Sequence, residues 1–405
     1  MEIKPLSSYQ KFVMFLLAVT QFTVVLDFMV MSPLGDILMK SLEINPTKFG
    51  ITVSSYAFSA GFSGLLAAGF ADKFDRKKIL IFFYSGFIIG TFLCGLAETY
   101  VTLVAARIFT GIFGGVMGSV SLAIVTDLFE LNQRGRVMGI VQMGFAASQV
   151  LGIPVGLYLA NLWGWHAPFL MIVILAIGIL ITLIIKLKPV DEHLKLKNEK
   201  NVFAHFKHVV FLKNYRIAFL STALLSISGY LMMPFGSAFA VNNLGVSQEQ
   251  LPLIFMFTGV SSLVVMPLVG RLSDTYNKFK IFVIGSVWAM IVILIYTNLG
   301  PTPLYLIIPL NILLFMGIMS RMIPATTLTS AIPNMQDRGA FMSINSSLQQ
   351  IAGGLATLMA GLIIVQKDKH SPLENYPLLG IIGVIVMGIA VWFIYRVFRI
   401  VKANA

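Results

Sequence analysis

Twelve apolar runs follow one another down this chain, at about 11–33, 49–70, 79–97, 101–124, 137–160, 165–187, 216–240, 250–271, 280–298, 302–325, 339–364 and 376–398. Each is close to the roughly 20 residues that a helix needs to cross a bilayer. No other feature limits the fold so strongly, because together the runs leave no room for a folded soluble domain. The polar surface of one is missing too: charged residues make up 11% of the chain and apolar ones 57%, against about 25% charged in a typical soluble domain. The first run is too long for a signal peptide and lacks a small-residue cleavage site, so it is expected to be a retained span. The expectation is an all-α membrane protein of twelve transmembrane helices.

Basic residues orient it. With the N-terminus in the cytoplasm, 23 of the 29 Lys and Arg fall on the cytoplasmic side. Only Lys40, Lys48, Lys367 and Lys369 fall outside, and Arg107 and Arg321 lie within spans. This is the asymmetry of the positive-inside rule. The net charge of +12 is thus a topology signal and does not point to nucleic acid. Both termini are expected in the cytoplasm. The membrane is expected to be the plasma membrane, or the inner membrane of a Gram-negative cell. The single Cys94 excludes a disulfide framework and gives no metal cluster.

The longest polar segment, from about Lys188 to Arg216, divides the spans six and six. Two signatures recur across it: GFADKFDRKK (Gly69–Lys78) with GRLSDTYNKFK (Gly270–Lys280), and RGRVMG (Arg134–Gly139) with RGAFMS (Arg338–Ser343). A near-constant offset indicates a duplicated six-span unit, and transporters built this way hold substrate between the repeats near the midplane. The expected division is 1–187 and 216–405 as two pseudo-symmetric six-helix bundles, with 188–215 as a cytoplasmic connecting loop.

Polar side chains are distributed unevenly among the spans. Spans 3, 6, 9 and 12 have no charged or amide side chains in their cores. Span 1 carries Gln21 and Asp27, span 4 Arg107, and span 5 Gln142 and Gln149; span 10 carries Asn311 and Arg321, and span 11 Asn345, Gln349 and Gln350. Thr52, Tyr56, Ser59 and Ser63 share one face of span 2. Lipid cannot bond such groups, so these faces are expected to line an inner cavity; interhelical hydrogen bonding without transport is the plainer reading.

Asp27 is costly where it stands, since a charge at a helix centre costs about 2.5–3.5 kcal/mol on insertion scales. Counting inward from the same face, Asp27 and Arg107 both lie roughly 9 Å deep, which makes an ion pair possible. Two readings stay open. Either the pair fixes helix positions, or Asp27 gains and loses a proton as contact with Arg107 breaks and re-forms. Arg107 cannot usefully deprotonate, so the carboxylate must be the group that changes charge. Arg107, Gly111, Gly114 and Gly118 share a face suited to close helix approach. Arg321, before Pro324, either satisfies a carbonyl freed by the proline, snorkels to the interface, or meets an anionic substrate group.

In the loop ADKFDRKK (Ala71–Lys78), Asp72 at the end of span 2 can face a helix N-terminus. Arg76 can bridge to Asp127 at the end of span 4. Here the chain resembles the major facilitator superfamily, and within it the twelve-span drug:proton antiporter branch. The loop pattern G-x-L-A-D-R-x-G-R-K-K is matched at Ala71, Asp72, Lys73, Arg76, Lys77 and Lys78, with Ala68 and Asp75 where that family has Gly. Arg107 and Gly111 match its R-x-x-x-G, and Gly152, Pro154 and Gly156 match part of its span 5 pattern G-P-P-x-G-G. The resemblance implies alternating access, with Asp72, Arg76 and Asp127 holding the outward-open state and Asp27 and Arg107 in the coupling and substrate region.

The expected function is proton-coupled efflux of small organic molecules by a monomer, without a cofactor. The alternatives are an uncoupled or symporting facilitator of a sugar, nucleoside or other metabolite, or a receptor without flux. No nucleophile–base pair or metal set suggests an enzyme.

Overall fold

Inside hydrocarbon a backbone amide has no water to bond, so each run must satisfy its own hydrogen bonds as a helix. A computed structural model of the chain describes residues 6–70, 73–191, 194, 202–334 and 336–403. The first half comprises α1 (Ser8–Val30), α2 (Gly35–Ser41), α3 (Pro46–Phe70), α4 (Arg76–Gly95), α5 (Tyr100–Leu128), α6 (Leu131–Ala147), α7 (Ile153–Trp163) and α8 (Ala167–Lys186). Next come α9 (Val202–Phe211), α10 (Lys213–Tyr230), α11 (Gly236–Asn242), α12 (Leu251–Thr275), α13 (Lys278–Thr297), α14 (Leu304–Ser330), α15 (Arg338–Ile363) and α16 (Tyr376–Ala403). Extended pairing among the described residues is limited to one isolated bridge, Val365–Glu374.

Among the described residues, eleven rods are long and apolar enough to cross a membrane, with α6–α7 and α10–α11 each counting as one. The run expected at 339–364 forms α15, a helix of 26 residues and so of spanning length, but it is not among the eleven. Asn345, Gln349, Gln350 and a series of Gly and Ser dilute its apolar character. That is affordable because α15 is packed between α3 and α10. Three further expectations change. The first span ends at Val30, and the chain turns into α2. The fifth is interrupted by a π-turn at Ser148–Gly152, ahead of Pro154, whose missing N–H cannot continue the ladder. The connecting segment is not wholly loop, since it carries α9.

Glycines set the closest helix approaches. A Cβ at Gly111 would lie 2.6 Å from the Tyr56 carbonyl oxygen, and one at Gly115 2.3 Å from that of Ala60, so α5 lies backbone to backbone on α3. Gly114 faces the Tyr56 hydroxyl, whereas Gly118, expected on the same contact, has nothing within 4 Å. In the same way Gly144 fits α6 onto α1 at the Ala18 carbonyl, and Gly259 fits α12 onto the π-turn at Gln149 and Val150.

Candidate functional site

Asp27 near the end of α1 and Arg107 near the start of α5 meet inside the first half. Arg107 Nη1 lies 2.7 Å from Asp27 Oδ2, and both side chains are 0% exposed. Thr91 of α4 donates its hydroxyl to the other carboxylate oxygen at 3.1 Å. The guanidinium carbon sits 4.4 Å from the centre of the Tyr56 ring of α3. Arg107 Nε and Nη2 have no hydrogen-bond partner, so the ring face is the main compensation for that side of the cation. Such a contact is worth about 2 kcal/mol when desolvated. The pair is closed by one strong hydrogen bond and not by a bidentate fork, so Asp27 can be released without dismantling a larger network.

A file of rings links this pair to the second half. Tyr56 packs against Phe28, with centroids 5.4 Å apart, and Phe28 against Tyr230 of α10 at 6.0 Å. Tyr230 in turn covers Gly353 of α15, where a Cβ would lie 2.9 Å from the ring.

The other cavity candidates stand apart from the pair. Gln21 and Gln149 are half-buried, Gln142 is exposed, and Gln349 is half-buried on α15. Asn345 is buried, and its side-chain carbonyl oxygen is unbonded. None of them, nor Arg321, bonds to Asp27 or Arg107. Arg321 neither caps a freed carbonyl nor snorkels. It is 3% exposed, with Nε donating to Ser286 Oγ at 3.1 Å and Nη1 and Nη2 each 3.4 Å from Ser228 Oγ. Phe282 lies beside it at 5.8 Å. Among the described residues it has no carboxylate partner.

Of the three loop and span-end residues, Asp72 lies outside the described residues. Arg76 Nε meets Asp127 Oδ2 at 3.0 Å. Asp75 caps α4 by accepting from Lys77 N, and it also accepts from Val190 N, both at 2.9 Å. Arg134 of the repeated RG pair closes the end of α5 by donating to the carbonyls of Thr126 and Phe129. Gly152 lies against Leu26, where a Cβ would be 2.5 Å away, Gly156 is near Val30, and Pro154 opens α7.

A family model described as Major Facilitator Superfamily matches residues 17–357. The chain belongs to that superfamily. It is therefore a secondary transporter of small molecules held in a membrane, and not an enzyme. Over 402 residues it is 23% identical to YbcL, an uncharacterized MFS-type transporter of Bacillus subtilis (strain 168), covering 94% of this chain and 95% of that protein. Over 99 residues it is 35% identical to the multidrug resistance protein fnx1 of Schizosaccharomyces pombe, covering 24% of this chain and 19% of that one. A solved bacterial homologue of the human lysosomal transporter Spinster shares the fold, with a TM-score of 0.77, 15% identity and 99% coverage of both chains.

Sequence reasoning missed the groups that join the transporter's two halves at the end opposite the basic loops. Ser32 Oγ donates to the Met233 carbonyl, and Ser237 Oγ donates to the Ser32 carbonyl at 2.7 Å. Asp36, 1% exposed, takes hydrogen bonds from Asn242 and Gln248 and pairs with Lys40 at 2.8 Å. A signal was available: Met31-x-Pro33-x-Gly35 recurs as Met232-x-Pro234-x-Gly236, a constant 201 residues on.

Proposed function

We propose that this transporter couples efflux of small organic molecules to proton entry, through protonation of Asp27 as the two halves rock. The observation that carries this is a carboxylate with no exposed surface, held by one Arg107 nitrogen and the Thr91 hydroxyl. When motion along the Tyr56–Phe28–Tyr230 file draws Arg107 away, the buried anion loses its counter-charge and takes a proton, which relieves the cost of isolation. When Arg107 returns, the proton leaves on the other side. Each cycle thus moves one proton per Asp27.

The basic face is the cytoplasmic one in this reading, with both termini there and 188–215 joining two six-helix bundles in a monomer. Gln21, Tyr56, Gln142, Gln149, Asn345 and Gln349 serve the substrate path. Asp72, Arg76 and Asp127 steady the switch, and Gly152, Pro154 and Gly156 let α6–α7 flex beside Asp27. The multidrug resistance name of fnx1 supports efflux as the direction. Arg321 and Arg107 disfavour strongly cationic cargo.

Proteoliposomes that report proton release across a compound panel test the reading. Wild type should release protons with some compounds, and Asp27→Asn and Arg107→Ala should abolish the signal. Substrate flux that continues unchanged in Asp27→Asn means an uncoupled facilitator, and no proton movement in wild type overturns coupling.

A further inference from the structure

α10 and α16 pack side by side, and their ends at the basic face leave a groove of about 320 Å³ lined by Lys213, Arg216, Ile217, Leu220, Trp392 and Arg396 together with Phe393. We propose that this groove seats the headgroup and upper acyl chains of an anionic phospholipid of the leaflet at the basic face.

The chemistry is sorted by depth. Lys213 opens α10, Arg216 follows one turn later, and Leu220 one turn beyond that. At 1.5 Å per residue this places apolar contact about 10 Å deeper than the first charge. α16 runs the opposite way and repeats the order, with Trp392 deeper and Arg396 nearer the helix end. Three cations therefore face one space at headgroup level, and no acidic residue lines it. None of the three makes an ion pair within the described residues, so the positive charge is left for a partner. Arg396 lies over the Trp392 ring at 5.1 Å, which fixes the guanidinium at the groove wall and leaves its edge donors free for phosphate oxygens.

The apolar part decides between a lipid and a soluble phosphate. Leu220 is 49% and Trp392 52% exposed, and both sit on membrane-spanning helices, so hydrocarbon covers them. Basic side chains above an apolar wall match the depth order of a lipid, headgroup over acyl chain, and basic pockets between spans recognise anionic headgroups. An inorganic phosphate would satisfy the cations and leave the Leu220–Trp392 wall empty. A lipid occupies both.

The experiment uses the purified full chain in detergent and reads bound lipid by native mass spectrometry and thermal unfolding. Phosphatidylglycerol, phosphatidylcholine and inorganic phosphate are added in parallel. Each base near a membrane surface is worth about fivefold in binding. Wild type should thus retain phosphatidylglycerol at least tenfold better than phosphatidylcholine, and its unfolding temperature should rise only with the former. Combined Lys213→Gln, Arg216→Gln and Arg396→Gln should erase that preference. Arg271→Gln, Lys278→Gln and Lys280→Gln, elsewhere on the same face, should keep it. Should the first combination fail to fold, Arg396→Gln alone should lower retention about fivefold. Equal loss in both combinations means a diffuse surface charge and overturns the site. Equal stabilisation by inorganic phosphate overturns the lipid.

Discussion

The two buried arginines answer the same electrostatic problem differently. Arg107 has Asp27, but among the described residues Arg321 has only the hydroxyls of Ser228 and Ser286 and the Phe282 ring. Ser228 stands 201 residues after Asp27, the same offset as the Met-x-Pro-x-Gly repeat. The second half thus keeps the position but replaces the carboxylate with a hydroxyl. An isolated buried cation is expensive, so Ser228→Asp should supply the missing counter-charge and stabilise the protein by about 1–3 kcal/mol. Thermal unfolding beside Asp27→Asn checks this, since removing the first half's own acid should destabilise. A Ser228→Asp protein less stable than wild type would show that Arg321 is already balanced. Asp27, Arg107 and Arg321 were legible because a charge inside an apolar run is conspicuous. Ser228, Ser286 and Thr91 were not, because hydroxyls in spans commonly bond their own helix. Ser228 and Ser286 do so as well, to the carbonyls of Leu225 and Phe282.

At the scale of elements, hydrophobicity read the rods well and their interruptions poorly. A run of apolar residues says where hydrocarbon lies, not whether the chain within it bends. The π-turn before Pro154 and the 3-10 turn Met233–Phe235 between α10 and α11 both fall inside runs that looked continuous. α9 was hidden because the connecting segment is too polar for a span, yet a short helix needs only a docking point. That point is Asp337 at the start of α15, which accepts from Tyr215 Oη at 2.8 Å and lies 2.9 Å from His205 Nε2. The His205 hydrogen bond, then that of Tyr215, holds the Asp337 carboxyl below its ordinary value of 3.8, with His208 adding a smaller pull. A carboxylate bound more strongly in the folded state adds stability above the unfolded value, and this is lost as pH falls through the lowered folded one. Asp337→Asn should therefore unfold at a lower temperature than wild type at neutral pH, and the gap should close below pH 3.8. A gap that persists unchanged in acid would assign the loss to α9 packing and not to the carboxylate charge.

For the whole molecule, the halves meet most fully through α3 against α15 and α12 against α7 and the π-turn, and they are laced at the end away from the bases. There Thr47 Oγ1 reaches the Gly361 carbonyl at 2.8 Å, Gly50 approaches Gly361 backbone to backbone, and Asp36 joins α2 to Asn242 and Gln248. The Arg76–Asp127 pair is made while this end is laced. Polar groups add to the backbone contacts that close this end. Of these Asp36 is the most demanding: it is buried, it carries two amide donors from the other half, and Lys40 balances its charge within α2. Removing the carboxylate takes a charged acceptor from both half-buried amides, although Asn242 keeps its bond to the Ala238 carbonyl. Hydrogen bonds to a charged group are worth about 1.5–3 kcal/mol, and these are lost only in the laced state. Asp36→Ala should thus shift the population toward opening at this end. Spin labels at the exposed Ser41 and Glu249, in a Cys94→Ser background, should report longer and broader distances in Asp36→Ala than in its parent. An unchanged distribution would mean that the Gly50–Gly361 backbone contact and the hydroxyl bonds of Ser32 and Ser237 close this end without Asp36, and that the repeated Met-x-Pro-x-Gly turns are the gate themselves.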